Sequence, residues 1–235
     1  MKMNKFIGFC NALLSAIYPN KCVCCDTIIE EGNFICDKCA NEIDRVELSN
    51  VCFACGFEED QCVCKYNVFR FNSSVSIFKN DGIAKEAYYS YKFRKRQPYA
   101  KFFATEVCDV VKKCYNDINF DLVCSVPGFQ KHGFDHSGYI ARDAAKQLNL
   151  YYDRELLRCV KRTKKQHKST IKERLNNVDG KYCATRKVNG ANILLIDDIK
   201  TTGATLDECA RTLLFAGANS VHCVTVLSGA VSVEK

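Results

Sequence analysis

The chain has 235 residues, 47% hydrophobic and 26% charged, with a net charge of +7. That suits one α/β domain with a small module attached, and no apolar run approaches the ~20 residues of a membrane-spanning helix, which excludes that class. Seventeen cysteines are far above ordinary usage; nine lie between Cys22 and Cys64 and the rest are scattered through mostly apolar segments, the pattern of buried free thiols in a reducing, cytoplasmic setting.

Residues 1–20 place Phe6, Phe9, Leu13, Leu14 and Ile17 on one helical face, behind Lys2 and Lys5 and interrupted by Asn11. The broken run and the lack of a small-residue cleavage site favour a packed amphipathic helix over a signal peptide.

Residues 21–65 carry four cysteine pairs: Cys22/Cys25, Cys36/Cys39, Cys52/Cys55 and Cys62/Cys64. Each pair can place two thiolates on one metal from a tight turn, so eight cysteines hold two structural zinc ions, each in a four-thiolate site. Gly56 suits the turn after Cys55, and Cys24 is left as a spare thiol. Sequential pairing is the simpler wiring, with a cross-braced arrangement open. The alternative, a disulfide framework, needs an oxidising compartment that the scattered thiols argue against. Between Cys22 and Cys64 stand ten acids against Lys38 and Arg45, a net −8, so the rest of the chain carries +15. Zinc on four thiolates adds further negative charge, which disfavours phosphate binding by the module and favours docking on a basic surface, such as the rest of this chain.

The remainder, residues 66–235, reads as a single α/β domain. Residues 66–80 look like strands leading out of the module. Residues 83–114 read as helices with a basic joint, Tyr91-Lys92-Phe93-Arg94-Lys95-Arg96. Aromatics among cations at 92–96 can stack bases and hold phosphates; a solvated helix end with its aromatics packed inward fits the pattern equally well. Asp121–Gly128 is a short strand ending in a turn at Val126-Pro127. The stretch Lys131-His132-Gly133-Phe134-Asp135-His136-Ser137 precedes a helix carrying Ile140, Ala144, Ala145 and Leu148. It is suited to close over a diphosphate, or its histidines are plain surface polarity. Residues 158–174 hold eight lysines and arginines, a solvated face or a patch for single-stranded nucleic acid.

The most telling segment is Ile193 to Thr205. Ile193-Leu194-Leu195-Ile196 does not alternate, as in a parallel strand covered on both faces. It runs into Asp197 and Asp198, then Ile199-Lys200-Thr201-Thr202-Gly203-Ala204-Thr205, then a helix with Leu206, Ala210, Leu213 and Leu214 that stops at Gly217. Ligands of open α/β sheets sit at such strand ends, and free N–H groups at a helix start attract anions. The loop suits a monophosphate. The two acids suit vicinal sugar hydroxyls or Mg²⁺. No Gly-x-x-x-x-Gly-Lys-Ser/Thr occurs anywhere, so the strand is not half of a P-loop ATPase.

Asp197–Thr205 resembles the PRPP-binding fingerprint of type I phosphoribosyltransferases. With Tyr18-Pro19, Cys52-x-x-Cys55-Gly56, Tyr91-Lys92-Phe93, His132–His136, and Arg162, Thr163, Gln166, Arg174, Asn177, Val178 and Gly180 in order, nearly the whole chain is similar to the ComF family of competence-associated proteins. The resemblance implies a double zinc ribbon before a parallel-sheet phosphoribosyltransferase domain. It implies PRPP with Mg²⁺ as ligand, Asp197 and Asp198 as catalytic acids, and Lys200–Thr205 with Val126 and Pro127 around PRPP. It also implies a setting in DNA uptake, beside a competence helicase or another DNA-processing partner. Ser125-Val126-Pro127 replaces the family's Pro-Val-Pro, the stretch to Gly133 is shortened, and His132 and His136 replace an arginine and a glutamine. The pyrophosphate half is therefore altered while the 5′-phosphate half is intact. The competing expectations are an enzyme, a non-catalytic DNA-binding module, and a phosphoribosyltransferase of nucleotide metabolism.

Overall fold

A computed structural model describes residues 19–65, 67–128, 134–160 and 180–229. The helix expected over residues 1–20 and the basic run beyond Val160 lie outside them, apart from the ends of each.

The larger part is a five-stranded, all-parallel sheet: β3 (Ser73–Lys79), β4 (Leu122–Ser125), β5 (Tyr151–Tyr152), β8 (Asn192–Lys200) and β9 (Ser220–Ser228), in the order β3-β9-β8-β4-β5. The central strand β8 is why the sheet is parallel and covered. Ile193, Leu194, Leu195 and Ile196 are all fully buried, so neither face can meet water. Leu194 and Ile196 join Tyr88, Phe103 and Ile140 in one core. That core is roofed by helices α2 (Gly82–Phe93), α3 (Ala100–Cys114) and α4 (His136–Leu148). Ile193 and Leu195 pack on the other side with Leu206, Ala210 and Leu213 of α5 (Ala204–Phe215). Helix α5 ends, as its spacing predicts, just before Gly217, whose φ of +99° only glycine adopts easily.

Where residues 66–80 suggest strands, the structure has one, β3, with Phe69 and Phe71 stacked 4.7 Å apart ahead of it. The short pieces are a helical turn α1 (Asp37–Glu42), a two-residue ribbon of β1 (Val51–Cys52) and β2 (Phe57–Glu58), and a second ribbon of β6 (Leu157–Cys159) and β7 (Tyr182–Ala184).

The cysteine module covers the exposed edge of β3. Val46 N–H donates to Ile77 O at 2.8 Å, Lys79 N–H to Asp44 O at 3.0 Å and Ser74 N–H to Phe53 O at 2.9 Å. An open strand edge is thereby closed by the chain itself. Charge follows the same seam: Glu58 pairs with Lys79 at 3.1 Å, and Asp26 takes Arg96 Nη2–H at 3.0 Å and the Tyr99 hydroxyl at 3.0 Å. The acidic module thus docks on the basic domain.

Candidate phosphate-binding site

Strand order places the site. From β4 the chain proceeds to β5 on one side, while β8 lies on the other. The carboxyl ends of β4 and β8 therefore flank a crevice at a switch point of the sheet, where open α/β folds bind ligands. Val126 continues β4 beside β8, its N–H donating to Ile196 O at 3.0 Å, which brings Val126 and Pro127 level with Asp197. Residues 129–133, including His132, lie outside the described residues.

The far wall is the start of α5. Gly203 caps it with φ +78°. A Cβ there would also lie 3.0 Å from the Phe69 ring, which would have to give way slightly, so both backbone and packing favour glycine. Thr201 is exposed, and Thr202 and Thr205 are partly exposed. Thr202 Oγ1 accepts Ala204 N–H at 3.4 Å. Among the described residues nothing accepts from the N–H groups of Gly203 or Thr205. Hydroxylated residues and open donors thus share one loop at a helix start, where anions are held.

Asp198 is held by two residues from elsewhere in the chain. Lys92, at the end of α2, forms an ion pair with its Oδ2. His136, the first residue of α4, brings Nε2 to 3.1 Å from the same oxygen. Tyr91 fixes this junction from behind: its hydroxyl donates to His136 O at 2.6 Å. Burial works to raise the Asp198 carboxyl, but the hydrogen bond from His136 and the Lys92 charge overcome it and hold the group well below its ordinary value. Asp197 goes the other way. Burial, then the neighbouring Asp198 charge, push it well up, although its Oδ1 accepts Asp198 N–H at 2.8 Å. The adjacent acids are thus driven apart in protonation, a pattern typical of functional sites. Close by, the Tyr88 hydroxyl is fully buried with no hydrogen-bond partner in the described residues, its ring 6.5 Å from that of His136.

Lys200 departs from its expected place. Its side chain turns from the Thr201–Thr205 loop into the cysteine module, where the ammonium donates to Cys55 O at 2.8 Å and to Gly56 O and lies 3.9 Å from the centroid of the Phe57 ring. Burial pushes it down to about 7, against the negative charge of Cys55, Cys223, Cys52 and Cys64. The simple alternation of β8 breaks after the acids, since Ile199 packs against the same core as Leu194 and Ile196. The direction of Lys200 was therefore not readable from spacing. Nor was the role of Phe69, whose only signal is an aromatic just before a strand.

The eight predicted metal ligands form two groups, Cys22, Cys25, Cys36 and Cys39, and Cys52, Cys55, Cys62 and Cys64, each with its sulfurs within 4.8 Å of one another. Four thiols converging so closely, without a disulfide among the described cysteines, fit a tetrahedral zinc ion. The wiring is sequential. Cys24 belongs to neither set, as expected.

The basic joint divides. Lys92 and Arg96 are engaged by Asp198 and Asp26, Tyr91 is buried, and Phe93 is 70% exposed. Phe93 lines a cavity of about 630 Å³ along α2 with Lys85, Tyr89 and Arg94. Arg158, at the edge of the second basic run, pairs with Glu155 at 3.1 Å. Among the described residues no helix is long and apolar enough to cross a membrane.

Residues 13–66 match the double zinc ribbon domain family and residues 136–235 the phosphoribosyl transferase domain family. The chain is 30% identical over 106 residues to the DNA utilization protein YhgH of Escherichia coli K12, covering 43% of this chain and 47% of that protein. It thus spans about half the length of that relative. It is 27% identical to the competence protein ComFC of Bacillus subtilis over 85% of this chain and 86% of the relative. With ComFC of Streptococcus pneumoniae the figures are 29% and 92% of both.

Proposed function

Because the chain belongs to the ComF family, a double zinc ribbon followed by a phosphoribosyltransferase domain, we propose that it binds PRPP or a related ribose phosphate in the crevice between β4 and β8, in the service of DNA uptake in the cytoplasm. The relatives' names, competence protein and DNA utilization protein, support that setting. The observation that carries the ligand reading is Asp198 held by Lys92 and His136 on the strand that leads into the open N–H donors of Gly203 and Thr205.

In this reading the N–H groups and hydroxyls of Thr201, Thr202, Gly203, Ala204 and Thr205 take the 5′-phosphate. Asp198 accepts from a ribose hydroxyl, with Asp197 buried behind it, and Val126 and Pro127 border the sugar. Lys92 and His136 are released from Asp198 as the ligand arrives, and can turn to its anionic end. Mg²⁺ bound with PRPP would supply charge neutralisation at the diphosphate. If the chain transfers the ribosyl group, the acids stabilise positive charge developing at C1.

A second reading, a single-stranded-DNA module without transfer, is favoured by one observation. Lys85 lies 5.9 Å from the Tyr89 ring centroid, Tyr89 meets Phe93 edge to face at 5.6 Å, and Arg94 is exposed beside them, a strip fit for stacking bases. The test is calorimetric titration of PRPP with Mg²⁺, together with pyrophosphate release in the presence of candidate acceptors. Absence of PRPP binding sinks the ligand reading. Release abolished in Asp198→Asn makes the chain an enzyme. Binding without release, with salt-dependent DNA binding that survives Asp198→Asn, makes it a module.

A further inference from the structure

Lys200 immediately precedes the Thr201–Thr205 loop, yet it is only 1% exposed and its ammonium is bonded to the cysteine module rather than to that loop. Its ammonium instead closes the second cysteine cluster, bonded to the carbonyls of Cys55 and Gly56 and seated over Phe57. The knuckle is shaped to receive it. Gly56 N–H closes the turn onto Cys52 O at 2.6 Å. A Cβ on Gly56, at φ +68°, would collide with both Lys200 Nζ and the Ser74 carbonyl oxygen. The charge is matched as well, since four thiolates around a divalent ion carry a formal −2.

On the other side, Lys200 is tied to the loop through its own backbone. Its carbonyl accepts Gly229 N–H at 2.7 Å, and Thr201 packs so near Gly229 that a Cβ there would lie 3.0 Å from Thr201 Cγ2. Were the knuckle to open, the ammonium would lose both acceptors inside the protein. A buried cation without partners is not stable there: it gives up its proton or turns toward water, and either way its hold on residues 200 and 201 is lost.

We propose that Lys200 is a positioning residue coupling the Cys52/Cys55/Cys62/Cys64 cluster to the Thr201–Thr205 loop, so that metal held by that cluster orders the loop and metal loss loosens it. Among the described residues no side chain of the Thr201–Thr205 loop or of Lys200 bonds to the first cluster, which meets the domain through the Asp26–Arg96 pair and through Val23 and Ile35 in the core. The coupling itself stands on these contacts, and only its consequence for ligand binding rests on the phosphate reading above.

The test uses the full zinc-loaded chain. Hydrogen exchange of the 201–205 amides is compared between wild type, Cys62→Ser/Cys64→Ser and Cys22→Ser/Cys25→Ser. Faster exchange on loss of the second cluster, but not the first, is the expected result; equal exchange in all three overturns the proposal, and neither outcome needs a lysine variant. In Lys200→Met, chelator-driven zinc release from the second cluster should be about tenfold faster, the equivalent of about 1.4 kcal/mol, with the first unchanged. Wild-type release rates at both clusters overturn it. PRPP titration of the wild type separates the two readings. Coupled exchange without PRPP binding defeats only the ligand assignment, and PRPP binding with uncoupled exchange defeats only the clamp.

Discussion

Replacing Asp198 with asparagine keeps the shape of the side chain and removes the charge on which the crevice is organised. In the structure that charge holds Lys92 and accepts from His136 Nε2, with 17%, 27% and 22% of the three side chains exposed. Stranding one member of a sealed ion pair costs several kcal/mol, but Lys92 lies at a helix end with a path to water, so the stability loss should be about 1–2 kcal/mol. Ligand affinity should split by chemistry. Inorganic phosphate meets only the loop and a Lys92 no longer engaged, and should bind as well as before or better. Ribose 5-phosphate loses a hydroxyl-to-carboxylate hydrogen bond, about 1.5–3 kcal/mol, and should bind about ten- to a hundredfold less tightly relative to phosphate. Calorimetry with the two ligands at one pH and ionic strength reads the ratio directly. An unchanged ratio would refute the assignment of Asp198 to the sugar, even if both affinities fell.

Gly203→Ala should cost about 1–2 kcal/mol in denaturant unfolding through its positive φ and the Phe69 contact, and Phe69→Ala in the same chain should recover the steric part only. The Asp197 carboxyl is raised in the fold, so it costs stability as pH climbs above its ordinary 3.8 toward the folded value. Asp197→Asn should therefore gain on wild type with rising pH over that window and show no further gain beyond it, as followed by urea midpoints. Asp198 has the opposite sign: its contribution is present above 3.8 and fades as pH falls below it, so Asp198→Asn should flatten the acid limb of the wild-type curve. Elemental analysis should find two zinc per chain, and chelation should abolish the cooperative unfolding of the cysteine module, which has few large apolar side chains to hold it otherwise.

Much of this was legible because it is local. An unbroken apolar run reads as a doubly covered strand, and Ile193–Ile196 proved to be the fully buried centre of the sheet. Paired cysteines read as knuckles with two wirings open, and the converging sulfurs choose the sequential one. The partners of Asp198 were not legible as partners. Lys92 is 106 residues away, and a lysine among aromatics carries no sign of the carboxylate it will meet. His136 reads as surface polarity until α4 is docked against β8. Lys200 fails for a different reason. The residue type suits an anion site, but Ile199 packs on the same core as Leu194 and Ile196, so simple alternation does not give the side on which Lys200 falls.

The charge balance bears on which reading of the basic surface survives. A remainder at +15 suggests a broad field for nucleic acid. The structure shows that several of those cations already have partners within the chain: Lys79 with Glu58, Arg96 with Asp26, Lys92 with Asp198 and Lys200 in the second knuckle. The acidic module thus neutralises the face on which it sits, and the field left for a partner is narrower than composition implies. Along α2 and just past its end it contracts to Lys85, Arg94 and Lys95 around Tyr89 and Phe93, with Asp81 and Glu86 lining the same cavity. A strip of that width can hold a few nucleotides by stacking, with a shallow salt dependence, whereas a broad field would give a steep one. The slope of DNA affinity against salt therefore discriminates between this strip acting alone and a larger surface to which the basic run beyond Val160 contributes.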